Sequence, residues 1–215
     1  MKTTKPIKTR ELLKKLKGIQ TIPSVMTNLN INRQKAVYCI YRLRKQGYVK
    51  TKRQSTKKRI YYVSFENKLG GSTYEELINK NSPIKISVSG THQVYGRTPT
   101  PEEALIYALK TKNFRTILAS LGLFRKIKDW KLLYHLAKQN NLRKEIGALY
   151  ELSRKRIRTR RTTKTFLNQS SPEKTEKYKY ILPNMKSKDF NEIQKKWRVY
   201  IPFNKKDLEV YNTGI

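Results

Sequence analysis

The first 65 residues carry three short helical patterns followed by two strand patterns, and this order restricts the folds open to the chain. The helical patterns cover about 7–17, 23–29 and 33–46, and the strand patterns cover 48–53 and 59–64. Gly18 is a helix stop, Pro23 suits an early helical position, and Asn32 is a favourable N-cap for the third helix. The order predicts a three-helix unit closed by a β-hairpin.

Positive charge is concentrated in two parts of the chain. The formal net charge is +34, from 49 Lys and Arg against 15 Asp and Glu. Residues 1–65 hold 18 of these cations against one acid, Glu11, and residues 113–164 hold 15 against three acids. Residues 66–112 are nearly neutral, with six cations and five acids. Because a folded protein this basic repels itself, we expect a polyanionic partner.

Several classes of protein and site do not fit this sequence. No apolar run approaches the roughly 18 residues that would span a bilayer, and the N-terminus lacks an apolar signal core. The single cysteine, Cys39, excludes an internal disulfide and a Cys-cluster zinc site, and a structural thiol is the expected role. We therefore expect a soluble, cytoplasmic protein without membrane partners, and the basic charge adds the expectation that it is nucleoid-associated.

Signals for catalysis are weak. His92 and His135 are the only histidines and are far apart in the sequence, with no acidic cluster near either. The chain contains no Gly-rich phosphate loop, and the acids Glu102 and Glu103 are explained by helix capping. We expect no enzymatic activity, no catalytic residue, no metal and no cofactor.

The patterns predict an α+β fold that is mostly helical. Thr100-Pro101-Glu102-Glu103 marks a helix start, and about four short helices are expected between 101 and 157. Alternating apolar residues at 84–88 predict a strand, and the segment 165–215 is less clear. The expected parts are a nucleic-acid-binding head at 1–65, a connector with a small mixed α/β unit at 66–99, a basic helical domain at 100–164, and a C-terminal extension at 165–215.

Three helices followed by a basic two-stranded ribbon is the order of a winged helix-turn-helix, in which the third helix enters the major groove. On a helical wheel its apolar face is formed by Ala36, Val37, Ile40 and Leu43. The outer face and N-terminal turn carry candidate binding residues: Arg33, Gln34, Lys35, Tyr38, Tyr41, Arg42 and Lys45. Among them, Gln34 can pair with adenine, and the cations can pair with guanine.

Two further groups of cations are candidate phosphate contacts. On the hairpin they are Lys52, Arg53, Lys57, Lys58 and Arg59. In the run 153–164, where seven of twelve residues are cations, they are Arg154, Arg156, Arg158, Arg160 and Arg161. A solvated helix C-terminus is the alternative interpretation of this run, because cations there suit the helix dipole.

The segment Ile7–Ser64 resembles the winged-helix head of the AbiEi-type antitoxin and transcriptional-regulator family. The likeness extends more loosely over Thr98–Leu105 and Arg143–Tyr150, which are similar to that family's second domain. The resemblance implies a head that binds operator DNA and a second domain that serves regulation or neutralises a toxin. This chain departs from the family in its very basic second domain and in the segment that follows.

Three functions remain open from the sequence. The leading one is a non-enzymatic DNA-binding protein, either a transcriptional regulator or a nucleoid-type protein that binds double-stranded DNA. The second is a ribosome-associated or RNA-associated protein, since the charge and the 14 tyrosines suit folding onto structured RNA. The third is an antitoxin-type module that holds a protein partner through its second domain, and a homodimer is also open.

Overall fold

The protein folds into two compact units. The computed structural model describes residues 8–55, 58–66, 68–69, 71–89, 93–173 and 175–211. Unit 1 consists of Met1–Ser72 and Gln93–Thr98, and unit 2 consists of Thr73–His92 and Pro99–Ile215. The described residues form an α+β fold in which helices predominate over small sheets, as the sequence patterns predict.

The described residues of unit 1 form three helices and a three-stranded antiparallel sheet. Along the chain the elements are α1 (Thr9–Leu16), β1 (Gly18–Gln20), α2 (Ile22–Leu29), α3 (Arg33–Lys45), β2 (Val49–Arg53) and β3 (Arg59–Val63). The strand order is β1-β3-β2, with Gly18 opposite Val63 and Val49 also opposite Val63. The three predicted helices and both hairpin strands are present, and β1 was not predicted.

The core of unit 1 lies between the helices and one face of the sheet. It is built from Leu12, Leu13, Leu16, Val25, Ala36, Cys39, Ile40, Leu43, Val49, Tyr61 and Val63. The expectation that Val37 faces this core is wrong, because its side chain is 48% exposed. Cys39 is buried in its place, since residues 36, 39, 40 and 43 follow the three-four spacing of one helical face.

Unit 2 is a helical unit with one small parallel sheet. Its α-helices are α4 (Tyr74–Asn81), α5 (Pro101–Lys110), α6 (Phe114–Ser120), α7 (Trp130–Gln139), α8 (Arg143–Arg154), α9 (Lys164–Ser170) and α10 (Asn191–Trp197). Two 3₁₀ helices cover Leu121–Arg125 and Lys206–Tyr211. The parallel sheet consists of β6 (Lys179–Tyr180) and β7 (Val199–Tyr200), where strands are numbered along the whole chain. The four helices expected between 101 and 157 are α5 to α8. The capping box predicted for α5 is present between Thr100 and Glu103.

Two-residue strands occur where the chain passes between the units. They are β4 (Ser72–Thr73) and β5 (Gln93–Val94). Residues 84–88 are all described and form no strand, so the strand expected there is absent. The Asn79 side chain instead satisfies this backbone, because its amide donates to Ile86 O and its oxygen accepts from Ile86 N, both at 2.8 Å. A side chain thus takes the place of a neighbouring strand.

The division into units differs from the expected four parts. The connector 66–99 is shared between the two units, and the segment after residue 165 is no separate extension. Its Trp197, Phe203 and Tyr211 are buried in the same core as the helices α5 to α8. The Tyr211 hydroxyl bonds Leu118 O at 2.8 Å, which fixes the end of the described chain to the helical core.

Candidate nucleic-acid interface

The third helix of unit 1 presents a broad polar and aromatic face to solvent. Its first turn is capped by the Asn32 side chain, which accepts a 2.9 Å hydrogen bond from Lys35 N. The exposed residues are Arg33, Gln34, Lys35, Tyr38, Tyr41 and Lys45, and Arg42 is half-buried. Apart from Arg33 in the first turn, the helical period places these residues on one side of α3.

Two tyrosines give this face an aromatic character. Tyr38 is 60% exposed and Tyr41 is 45% exposed, which is unusual for side chains of this size. The Lys45 ammonium lies 5.4 Å from the centroid of the Tyr41 ring, within cation–π range. Side chains that can stack and donate hydrogen bonds therefore stand beside cations that can pair with phosphate.

The hairpin of β2 and β3 adds a second row of cations in unit 1. Lys52, Arg53, Lys58 and Arg59 are all exposed, and Lys57 lies outside the described residues. The hydrogen bond from Gln54 N to Lys58 O, at 2.9 Å, closes the described tip. Arg53 lies directly opposite Arg59 in the ladder. Like charges placed in this way destabilise a sheet, so the hairpin carries an electrostatic cost in the free protein.

The acids of unit 1 are too few to neutralise these cations. The sequence of unit 1 contains only Glu11 and Glu66. Glu11 lies 3.2 Å from Lys15, and Glu66 lies 2.9 Å from Lys17. The hydrogen bond and charge of Lys17 lower the pKa of Glu66 from its ordinary value. Both carboxylates therefore pair with lysines of α1 and its C-terminus, and neither is paired with the hairpin cations Lys52, Arg53, Lys58 and Arg59.

The cysteine of α3 belongs to the core. Cys39 is buried and free. Burial raises the pKa of its thiol, and the charge of Arg42 opposes that shift only in part. A neutral, buried thiol is a poor nucleophile, so the structural interpretation of Cys39 is the one that the geometry favours.

The second basic run forms a defined loop between two helices of unit 2. Helix α8 ends at Arg154, and α9 begins at Lys164. Five arginines of the run are exposed: Arg154, Arg156, Arg158, Arg160 and Arg161. Between them Ile157 is buried in the core of unit 2. The run is therefore a loop with an apolar attachment rather than only the end of a helix.

A buried tyrosine also holds this loop. The Tyr150 hydroxyl accepts a hydrogen bond from Thr162 N at 2.9 Å and donates one to Arg160 O at 3.2 Å. Its ring packs edge-on against Phe124 and Trp130, with centroids 5.7 and 5.1 Å apart. The loop backbone is therefore held by a side chain of the core, while the arginine side chains are exposed to solvent.

Unit 2 also has a basic hollow that the sequence patterns did not predict. A cavity of about 560 Å³ is lined by Lys155, Arg156, Phe190, Asn191, Glu192 and Lys205. Its cations are Lys155, Arg156 and Lys205, and Phe190 contributes an aromatic ring. Lys205 lies far along the chain from the arginine run, so no local pattern could have connected them.

The other candidate residues that the structure describes lie outside these surfaces. His135 is exposed and pairs with Gln139 at 2.9 Å, and His92 lies outside the described residues. Trp130 and Trp197 are buried in the core of unit 2. Within the described ranges, no three His, Cys, Asp or Glu side chains gather as a metal site.

The helices of the described chain are also too short or too polar to cross a bilayer; none meets the length and apolarity that a membrane span needs. Comparison with known proteins adds no relative: no family model, no curated protein and no solved structure matches this chain.

Proposed function

We propose that this chain is a non-enzymatic DNA-binding protein, a transcriptional regulator or nucleoid-type protein, and that unit 1 is a winged helix. The order α1, β1, α2, α3, β2, β3 supports this architecture, and so does the sheet order β1-β3-β2. In such a unit the third helix is the reading element, and the hairpin between the last two strands is the wing.

The observation that carries the proposal is the exposed face of α3. It combines amide, phenol, guanidinium and ammonium groups on one side of a helix of 13 residues and contains no acid. An α-helix fits the major groove, where Gln34 can pair with adenine, and Arg33 or Lys35 can pair with guanine. Tyr38 and Arg42 lie further along the same helix and can contact base edges or phosphates.

The hairpin supplies contacts to the phosphate backbone. Its cations Lys52, Arg53, Lys58 and Arg59 are exposed, and the Arg53–Arg59 pair is unfavourable without an anion. Phosphates placed between or beside these guanidinium groups would offset the repulsion. The electrostatic repulsion between Arg53 and Arg59 in the free protein is thus a reason to expect a polyanion at the hairpin.

The arginine loop of unit 2 is proposed as a second phosphate-binding region. Its backbone is held by Ile157 and Tyr150, so little ordering remains to be done on binding. Five exposed arginines offer planar groups that bind phosphate through two hydrogen bonds. The resemblance to AbiEi-type proteins motivates a regulatory role for such a DNA-binding chain.

The proposal is tested by selecting binding sites from a random pool of duplex DNA with the full chain. We expect an enriched motif for a regulator, with altered base preference for Gln34→Ala and Arg42→Ala. Lys14→Ala, an exposed cation on α1, is the matched control and should keep the motif. If the chain binds duplex DNA but no motif is enriched, the protein is of the nucleoid type and not a sequence-specific regulator.

Structured RNA of equal length serves as competitor in the same buffer. We expect duplex DNA to be retained when the two nucleic acids are equimolar. If the RNA displaces the duplex at a tenth of its concentration, or if the duplex does not bind at low salt, the proposed function is wrong.

A further inference from the structure

The two-stranded sheet of β6 and β7 has one face in the core and one face in solvent. Lys179 lies opposite Val199, and Tyr180 lies opposite Tyr200 in parallel register. Val199 is fully buried, and the Lys179 ammonium bonds Asn141 O at 2.8 Å. Because successive side chains of a strand point to opposite faces, the neighbouring tyrosines occupy the outer face.

Three tyrosine rings form a continuous row on this outer face. The ring of Tyr200 lies between the other two, with centroids 5.0 Å from Tyr178 and 4.5 Å from Tyr180. Tyr178 is 40% exposed and Tyr180 is 44% exposed. A row of contacting rings that leaves so much aromatic surface in solvent offers flat faces for another π-system.

Cations border the row of rings. The Lys186 ammonium lies 4.8 Å from the Tyr200 ring centroid, and the Arg198 guanidinium lies 5.9 Å from that of Tyr178. The nearby acid Glu176 is engaged by Arg143 and Lys144, at 3.2 and 3.0 Å. The surroundings of the rings are therefore positive, which disfavours a cationic partner and favours an anionic one.

Arg198 is the C-cap of α10, where its backbone N–H donates to Gln194 O and its side chain lies beside the row of rings. Arg198 has φ of 50° and ψ of 47°, a left-handed conformation at the end of α10. Glycine or asparagine would adopt it at lower cost. A long cationic side chain is placed at a strained position, where it donates to Glu176 O at 2.9 Å and stands beside the Tyr178 ring.

We propose that this surface, the tyrosine row of Tyr178, Tyr180 and Tyr200, binds single-stranded DNA by stacking unpaired bases on its rings. Aromatic side chains beside cations are the arrangement by which proteins hold unpaired nucleotides without reading their sequence. The cations Lys186 and Arg198 then pair with the phosphates. The choice of DNA over RNA rests on the proposed function, because a chain already bound to DNA meets the unpaired stretches of that DNA at high effective concentration.

The test uses the full chain and a fluorescently labelled oligothymidylate, with affinity measured by anisotropy. Tyr178→Ala with Tyr180→Ala should weaken binding about 30-fold or more, since two stacking faces are lost. Tyr178→Phe with Tyr180→Phe keeps the rings and should stay within about threefold of the wild type. Both sites are exposed, and thermal unfolding followed by circular dichroism checks that the variants are folded.

Three results would overturn the proposal: unchanged oligothymidylate affinity in the alanine variant, an equal loss in the phenylalanine variant, or tenfold tighter binding of oligouridylate of the same length. Duplex affinity is measured on the same variants. A tyrosine-dependent single-strand affinity in a chain that binds no duplex would refute the proposed function alone. Intact duplex binding with no effect of the tyrosines would refute the tyrosine row alone.

Discussion

The hydroxyl of Tyr150 accepts a 2.9 Å hydrogen bond from the backbone N–H of Thr162. This bond joins the buried face of α8 to the far end of the arginine loop, and the same hydroxyl donates to Arg160 O. A single core side chain thus satisfies two backbone groups of a segment that has no regular structure. The shape of the second basic region depends on it.

Removal of this hydroxyl should loosen the loop without unfolding the chain. For Tyr150→Phe we expect a loss of about 1–2 kcal/mol in the free energy of unfolding, because the partly buried N–H of Thr162 loses its acceptor. Amide hydrogen exchange at Thr162 should become faster. Tyr134→Phe, at a half-buried tyrosine on α7, is the control and should change stability by less than about 0.5 kcal/mol. Unchanged exchange at Thr162 would contradict this role of Tyr150.

The arginine pair of the hairpin should show opposite effects on stability and on binding. Arg59→Thr removes the like charge opposite Arg53 and should raise the free energy of unfolding by up to about 0.5 kcal/mol. Duplex affinity should fall, since a phosphate contact is lost. Lys50→Thr on β2 is the matched control, because Lys50 lies opposite Tyr62 and relieves no repulsion. Chemical denaturation and anisotropy measure the two effects, and a drop in both quantities for Arg59→Thr would refute the electrostatic cost.

A buried carboxylate in unit 2 should make stability depend on pH. Burial would raise the pKa of Glu75, but hydrogen bonds from Tyr107 at 2.6 Å and Ser89 at 2.9 Å outweigh it and lower the pKa below its ordinary value of 4.5. Burial, with the bond to this carboxylate, raises the pKa of Tyr107 to about 12. A carboxyl with a lowered pKa in the folded state stabilises the fold above its unfolded pKa, and that contribution is lost as the pH falls through the folded pKa.

Tyr107→Phe should therefore cost more at neutral pH than in acid. We expect a loss of about 1–2 kcal/mol in the free energy of unfolding at pH 7, because an ionised carboxylate loses a donor. The difference from wild type should shrink as the pH falls below 4.5, where Glu75 becomes protonated. Urea denaturation across this range measures it, and a difference that is constant with pH would show that the hydrogen bond to the ionised form is unimportant.

The contact between α8 and α10 leaves no space for a side chain at Gly147. A Cβ there would collide with the six-membered ring of Trp197, which is itself buried and donates its indole N–H to Glu151 at 2.7 Å. Gly147→Ala should destabilise the chain by about 1–3 kcal/mol through overpacking. In a Trp197→Leu background the same change should cost much less, and equal costs in both backgrounds would contradict the steric explanation.

The helices were predictable where the sequence marks their ends. Asn32 and Thr100 both act as the N-caps that their positions indicate, and α3 and α5 begin where predicted. The strand β1 was missed because it has three residues and is formed by long-range pairing, with Gly18 opposite Val63. No local pattern contains that partner.

The partners that bury the C-terminal segment could not be predicted from local patterns. Trp197, Val199, Ile201 and Phe203 alternate along the chain, which predicts an extended segment with one apolar face but does not say what covers that face. Their burial depends on partners far away in sequence, such as Gly147 for the Trp197 ring. The exposed face of α3 was predicted from its period, whereas the tyrosine row required the register of β6 and β7.

The salt dependence of duplex affinity tests the central claim most directly, because counterion release follows the number of phosphate contacts. The full chain should lose affinity steeply as salt rises, with a slope of log K against log salt of about −5 or steeper. Replacing Lys52, Arg53, Lys58 and Arg59 together by alanine should flatten that slope. A slope near zero, or one that the four replacements leave unchanged, would contradict the proposed binding of DNA through unit 1.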